Sequence, residues 1–191
     1  MIKSGVGLSN HRDAFQAGTE AAHQATRAIE GNKASLVVVF SSSSAFDQKR
    51  MLEGVRSVTG DSSLVGCSDA GEITGEGAHE KSVAVMALYS DQMTFTPAIG
   101  RNVKAGAREA GQAFARDLKS RAPEPLKSLW MFPDVLAGNG ADAVRGVLDE
   151  LGPHFTAGAK AVVLSAPVES DDIPTYVLSV NANDYKNETA V

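Results

Sequence analysis

Leu36-Val-Val-Val-Phe40 is an unbroken apolar run, rich in β-branched residues and followed by four serines. A strand wetted on one face alternates polar and apolar residues, so an unbroken run marks a strand covered on both faces. Its neighbours supply the cover. Upstream, Asp13 is placed to cap a helix running to about Glu30, where Gly31 supplies the stop. Alanine dominates the middle of that helix, which suits close packing on a sheet. Downstream, a second helix is expected over residues 47–59, ended by Gly60. Ile2 to Ser9 alternates weakly and reads as the first strand. Strands alternating with helices predict an α/β domain, a layered mixed sheet, partly parallel, with flanking helices.

The pattern continues with a short strand over 64–67. Residues 82–89 and 93–96 read as two strands of an antiparallel hairpin turning at Ser90-Asp91-Gln92, with Pro97 ending the second. A helix is expected over 104–120, then the loop Arg121-Ala-Pro-Glu-Pro125 and a strand over 128–132. Pro133-Asp134 ends that strand, and an amphipathic helix is expected over 140–151. Two strand-like stretches, 161–164 and 176–180, lie in the tail. No internal repeat is visible, nor any low-complexity segment beyond Ser41 to Ser44.

The chain has 191 residues, 43% hydrophobic and 21% charged, which suits one large globular domain or a domain with an appendage. Eighteen basic residues against 23 acidic ones give a net charge of −5. Without a basic patch, nucleic acid is not an expected partner. The longest apolar run, Val83 to Tyr89, is far short of the ~20 residues that span a bilayer, and the N-terminus lacks the apolar stretch of a signal peptide. A cytoplasmic chain without membrane insertion is the expectation. One cysteine excludes an internal disulfide and leaves no thiol cluster for a metal.

The stretch Leu64-Val-Gly-Cys-Ser-Asp-Ala-Gly-Glu-Ile73 carries the candidate site. A short strand reaches Cys67, and the small residues Gly66, Ser68, Ala70 and Gly71 let another group approach the backbone. Ser68, Asp69 and Glu72 can form a polar rim around a ligand's amino or hydroxyl groups, with Glu72 suited to an ammonium. Asp69 can equally satisfy backbone N–H groups in a tight turn. Cys67 reads either as a ligand contact or as a small buried hydrophobe; no histidine lies nearby in sequence to activate it as a nucleophile. Asp134 and Asn139 follow a strand and precede a helix, where ligands collect in open α/β sheets. Capping of that helix is the stronger reading for Asn139. The serine run reads as a solvated loop in preference to a phosphate site. His11, His23, His79 and His154 have no ligand-like spacing, and no metal site or catalytic constellation is expected.

Val65-Gly-Cys-Ser-Asp-Ala-Gly-Glu-Ile73 resembles the signature of the FIST sensory domain, with Asp69 where that family usually has threonine or serine. Gly5-Val-Gly-Leu-Ser9, Ala34 to Phe40 and Leu129-Trp-Met-Phe-Pro-Asp134 with Asn139 resemble its other segments in order, over residues 5–155. The resemblance implies a non-catalytic bacterial module that senses a small ligand, proposed to include amino acids. Together with the reading of the residues above, the expected ligand contacts are Cys67, Ser68, Asp69, Gly71, Glu72, Asp134 and Asn139. The implied partners are a signalling kinase, a cyclase or a chemoreceptor, with a homo-oligomer also compatible. No cofactor is expected, although some members bind haem and sense nitric oxide; no haem-ligating residue maps onto a histidine here. The alternative is a truncated structural remnant without ligand binding.

Pro153-His-Phe-Thr-Ala-Gly-Ala-Lys160, Ala161-Val-Val-Leu-Ser-Ala-Pro167 and Ile173 to Asn181 resemble a piece of glyceraldehyde-3-phosphate dehydrogenase, with Ser179 replacing a glycine. That family's catalytic cysteine and dinucleotide fingerprint have no counterpart, so dehydrogenase activity is not expected. The expected organisation is a truncated FIST N-terminal-like domain over 1–152 and a dehydrogenase-like tail over 153–191, joined as a chimaera.

Overall fold

The computed structural model describes residues 1–123, 126–134, 137–152 and 162–164. It divides into two compact units, Met1–Pro97 and Ala98–Val191. The α/β class and the mixed sheet expected from the sequence are both present.

In the first unit, β1 (Ile2–Ser9), α1 (Ala14–Arg27), β2 (Leu36–Ser42), α2 (Gln48–Thr59) and β3 (Leu64–Asp69) follow in turn. A small hairpin, β4 (Glu72–Thr74) and β5 (Gly77–His79), then leads to β6 (Val83–Ser90). The four-stranded sheet has the order β1-β6-β2-β3, with β2 and β3 parallel and β6 antiparallel to both its neighbours. Asp13 and Asp47 cap the two helices, accepting from the N–H groups of Gln16 and Arg50. Asp13 caps where the sequence places it, and Asp47, read as the first residue of the second helix, stands just before it as its cap.

The element boundaries differ from the sequence reading at several points. Residues 93–96 form no strand; β6 finds its antiparallel partners in β1 and β2, strands distant in sequence. Helix α3 (Ala107–Arg121) starts three residues later than expected, because Asn102 takes a left-handed conformation and turns the chain at Ala105 and Gly106. The β4–β5 hairpin was read as loop, since three-residue strands carry too little pattern to be recognised.

The helical face of the sheet is packed very closely. Ala17, Ala21, Ala22 and Ala25 of α1 meet Val37, Val39, Val85 and Ala87 in one core with Met51 and Val55 of α2. A Cβ on Gly7 of β1 would stand 2.0 Å from the Ala21 carbonyl oxygen, so only glycine admits the helix there. At the outer edge of β1, the Leu8 N–H donates to the side chain of Gln24 from α1 (3.0 Å).

The second unit holds α3, β7 (Leu129–Met131), α4 (Gly140–Leu151) and β8 (Val162–Leu164), with β7 and β8 parallel. Strand β8 lies in the dehydrogenase-like tail, in one of the two stretches read as strand-like; the other, 176–180, lies outside the described residues. Ala115, Leu118, Leu129 and Val147 form the core.

The two helix pairs are built alike. A Cβ on Gly18 would meet the Met51 carbonyl oxygen at 2.1 Å, and one on Gly54 would meet that of Phe15 at 2.1 Å. In the second unit, Gly111 faces the carbonyl of Ala143 at 2.1 Å and Gly146 that of Arg108 at 1.9 Å. In each pair a glycine fits over the carbonyl three residues before its partner glycine. One constant offset separates Ala14 from Ala107, Gly18 from Gly111 and Leu36 from Leu129. The helix–strand–helix unit therefore occurs twice, which corrects the reading that the chain has no internal repeat. The repeat lies in backbone approach and spacing, while the surrounding side chains have diverged.

Forcing a methyl group into such a contact overpacks it, at about 1–3 kcal/mol. Gly54→Ala and Gly146→Ala should each lower stability by that amount in urea unfolding. Gly75→Ala, with nothing within 4 Å of the added carbon, should change it by less than about 0.5 kcal/mol.

Candidate functional site

The parallel register of β2 and β3 sets Ser41 beside Ser68 and Ser42 beside Asp69, so both strands end at the same place. That is where open α/β sheets bind ligands. Ser41 and Ser42 are buried rather than part of a solvated loop. The Ser41 hydroxyl donates to Gln48 Oε1 (2.6 Å), and Gln48 Nε2 donates to the Ser42 carbonyl (2.9 Å). The first turn of α2 thereby braces the end of β2. Ser43 N–H donates to the Asp69 carbonyl (3.2 Å) and Ser42 N–H to that of Ser82 (3.2 Å), closing the ends of β3 and β6 against it.

The small residues of the signature serve the fold first. Gly66 sits at φ 156°, and a Cβ there would stand 1.9 Å from the Val39 carbonyl oxygen, so its glycine admits β2. A Cβ on Gly71 would meet the His79 carbonyl oxygen at 2.9 Å. Cys67, half-buried, lines a hollow of about 240 Å³ together with Ser41, Met51, Leu52, Gly66 and Ser68. Ser68 is exposed.

Asp69 and Glu72 come together beyond the strand ends. Glu72 is 2% exposed and accepts a hydrogen bond from the Ser82 hydroxyl. Burial, the negative charge of Glu72 and a hydrogen bond shared with it push Asp69 up to about 7, against the opposing effect of the Gly71 N–H it accepts from. By contrast Asp13, Glu30, Asp61, Asp91, Asp117 and Asp149 are all held low by hydrogen bonds. Asp69 thus accepts from the turn N–H of Gly71, as the tight-turn reading expects, and also faces a second carboxyl. Apart from the proton that the two carboxyls can share, buried Asp69 Oδ1 and Glu72 Oε1 meet no donor, and buried His79 Nε2 has no hydrogen-bond partner.

Sequence reasoning missed Gln48, His79 and Ser82. His79 sits in β5, in register with Glu72. Only the alternation across a hairpin, had the hairpin been recognised, would have paired it with Glu72.

Asp134 and Asn139 belong to the second unit. Asn139 caps α4, its Oδ1 accepting from Ala141 N (3.0 Å) and Asp142 N (3.3 Å), as the capping reading expects. Asp134 is exposed and its Oδ1 accepts from Ala137 N (3.2 Å). Among the described residues no group of three His, Cys, Asp or Glu side chains could hold a metal ion. His23 borders a hollow of about 440 Å³ lined by Thr26, Arg27, Asn32, Lys33 and Thr59. Haem needs an apolar slot around its axial ligand, and these polar walls do not fit it.

A family profile described as the FIST N domain matches residues 35–161. The chain belongs to the FIST family. The FIST domain is a sensory, non-catalytic domain of signal transduction. The match contains the strand ends, the hairpin and both helices of the second unit. Dehydrogenases match a smaller share. The chain is 55% identical over 38 residues to "Glyceraldehyde-3-phosphate dehydrogenase A, chloroplastic" of Scenedesmus vacuolatus, covering 20% of this chain and 12% of that protein. It is 54% identical over 73 residues to the chloroplastic B form of Pisum sativum, covering 35% of this chain and 15% of that protein. The chain therefore spans less than a fifth of the length of these relatives, a fragment-like similarity. No helix among the described residues is long and apolar enough to cross a membrane.

Asn139→Ala should cost about 1 kcal/mol in urea unfolding, the worth of an N-cap, while Asn139→Asp, which keeps the acceptor, should stay near the parent.

Proposed function

We propose that this FIST chain is a bacterial sensing module that binds a small metabolite carrying a protonated amine, of the amino-acid class, beyond the ends of β2 and β3. The observation that carries the reading is the buried Asp69–Glu72 pair, with an oxygen of each unmatched by a donor. Two adjacent carboxyl groups short of positive charge suit an ammonium, which donates to both in place of a proton. The hollow lined by Cys67 and Ser68, the two residues that precede Asp69, offers space at the same strand end. Gly71 shapes the turn, while Asp134 and Asn139 serve their own turn and helix.

Signalling then follows from population shift: ligand favours one arrangement of the strand-end segment, and a kinase, cyclase or chemoreceptor reads the change. A cytoplasmic setting suits such partners. The dehydrogenase-like tail from residue 153 adds strand β8 and no catalytic role.

Thermal unfolding of the full chain against a panel of amino acids and amines tests the reading. A ligand at a hundred times its Kd should stabilise the fold by about 2.7 kcal/mol, and Asp69→Asn and Glu72→Gln should abolish the shift. A panel without any shift, or variants that respond like the parent, would overturn it.

A further inference from the structure

We propose that the β4–β5 hairpin is a strap, fastened to the sheet by a proton shared between Asp69 and Glu72 and loosened when that proton leaves. The inference rests on the strand-end reading only for what the strap would gate; the fastening itself is a property of the chain without ligand.

The hairpin is anchored at its root and wet elsewhere. Glu72, its first residue, is 2% exposed, while Ile73 beside it is 86% exposed and Gly77 and Ala78 are exposed too. A Cβ added at Gly75 or Gly77 would meet nothing within 4 Å, so open space surrounds the turn. Glu76 N–H bonds to Thr74 within the hairpin itself (3.2 Å). The hydrogen bond from the Ser82 hydroxyl joins the root to the start of β6, and towards β3 the Asp69 carboxyl faces Glu72, with one buried oxygen of each left without any other donor.

The groups around the root leave the pair short of compensation. From β5, His79 stands in register with Glu72. Glu80 and Lys81 lie in the link to β6, with Glu80 Cγ 3.9 Å from a Cβ placed on Gly71, and Glu76 lies at the turn. From β2 and β6 come the uncharged Ser41, Ser42 and Ser82. With one proton, the Asp69 carboxyl donates a charge-assisted hydrogen bond to Glu72. Without it, two negative charges face each other in a partly dry site, and the repulsion acts on the residue that holds the hairpin down.

The sign of the pH dependence follows. The closed strap holds its proton up to about pH 7, whereas an open, solvated Asp69 releases it near 3.8. Opening therefore becomes easier as pH rises, by up to about tenfold per unit across that window, and levels off above it.

Hydrogen exchange of the full-length chain without ligand, from pH 4.5 to 8.5 and corrected for intrinsic exchange, reads this directly in peptides covering residues 70–82. The expected result is protection that falls towards pH 7 and then flattens, with α1 and β6 unaffected. Asp69→Asn, which keeps a donor to Glu72 but cannot titrate, should be flat across the range, and His79→Gln should keep the parent slope. Parent protection that is flat, a slope surviving in Asp69→Asn, a slope lost in His79→Gln, or one shared by all of residues 1–97 would each overturn the strap. Ligand binding can fail while the slope remains, and the reverse, so the two proposals stand or fall separately.

Discussion

The close approach of α1 to α2 is the constraint on which the first unit depends. With Gly18 and Gly54 each seated over the other helix's carbonyl, the pair packs on the sheet through the alanines of α1 together with Met51 and Val55 of α2. A thicker side chain at either glycine would tilt the helices apart. The first turn of α2 would then move, and with it Gln48, whose amide braces the end of β2. The end of β2, beside which Asp69 stands in register, is thus tied through Gln48 to the helix that the glycine contacts hold.

Much of the fold was legible because its signals are local. Asp13, Asp47 and Asn139 cap helices by their own side chains, and Leu36 to Val39 form a buried run whatever their partners. What escaped was non-local. Strand β6 was paired with its neighbour in sequence, although its partners are β1 and β2. The repeat escaped because its invariant is a glycine facing a carbonyl, while the residues around it became Phe15 in one half and Arg108 in the other. Arg108 there binds Asp149 (2.7 Å), a surface ion pair, whereas Phe15 has the Arg50 guanidinium over its ring at 5.9 Å.

The candidate site was legible in its members but not in its geometry. Asp69 and Glu72 stood out as acids in a small-residue loop, and the structure joins them. Ser82, which bonds Glu72, and His79, in register with it, lie beyond a hairpin turn too short to show a period. The small residues were read as room for a ligand, and at Gly66 and Gly71 the approaching group is the protein's own backbone. Glycine in a signature says that something comes close without saying what.

Gln24 has a consequence beyond the domain. Strand β1 lies at the edge of the sheet, with Ile2 and Val6 exposed, an edge of the kind onto which stray strands of other chains add. By taking up the Leu8 N–H, Gln24 removes one rung from that ladder where the exposed stretch meets the core. A single amide on a neighbouring helix thereby covers one rung of an open edge, beside glycines whose places are fixed by the helix packed against them.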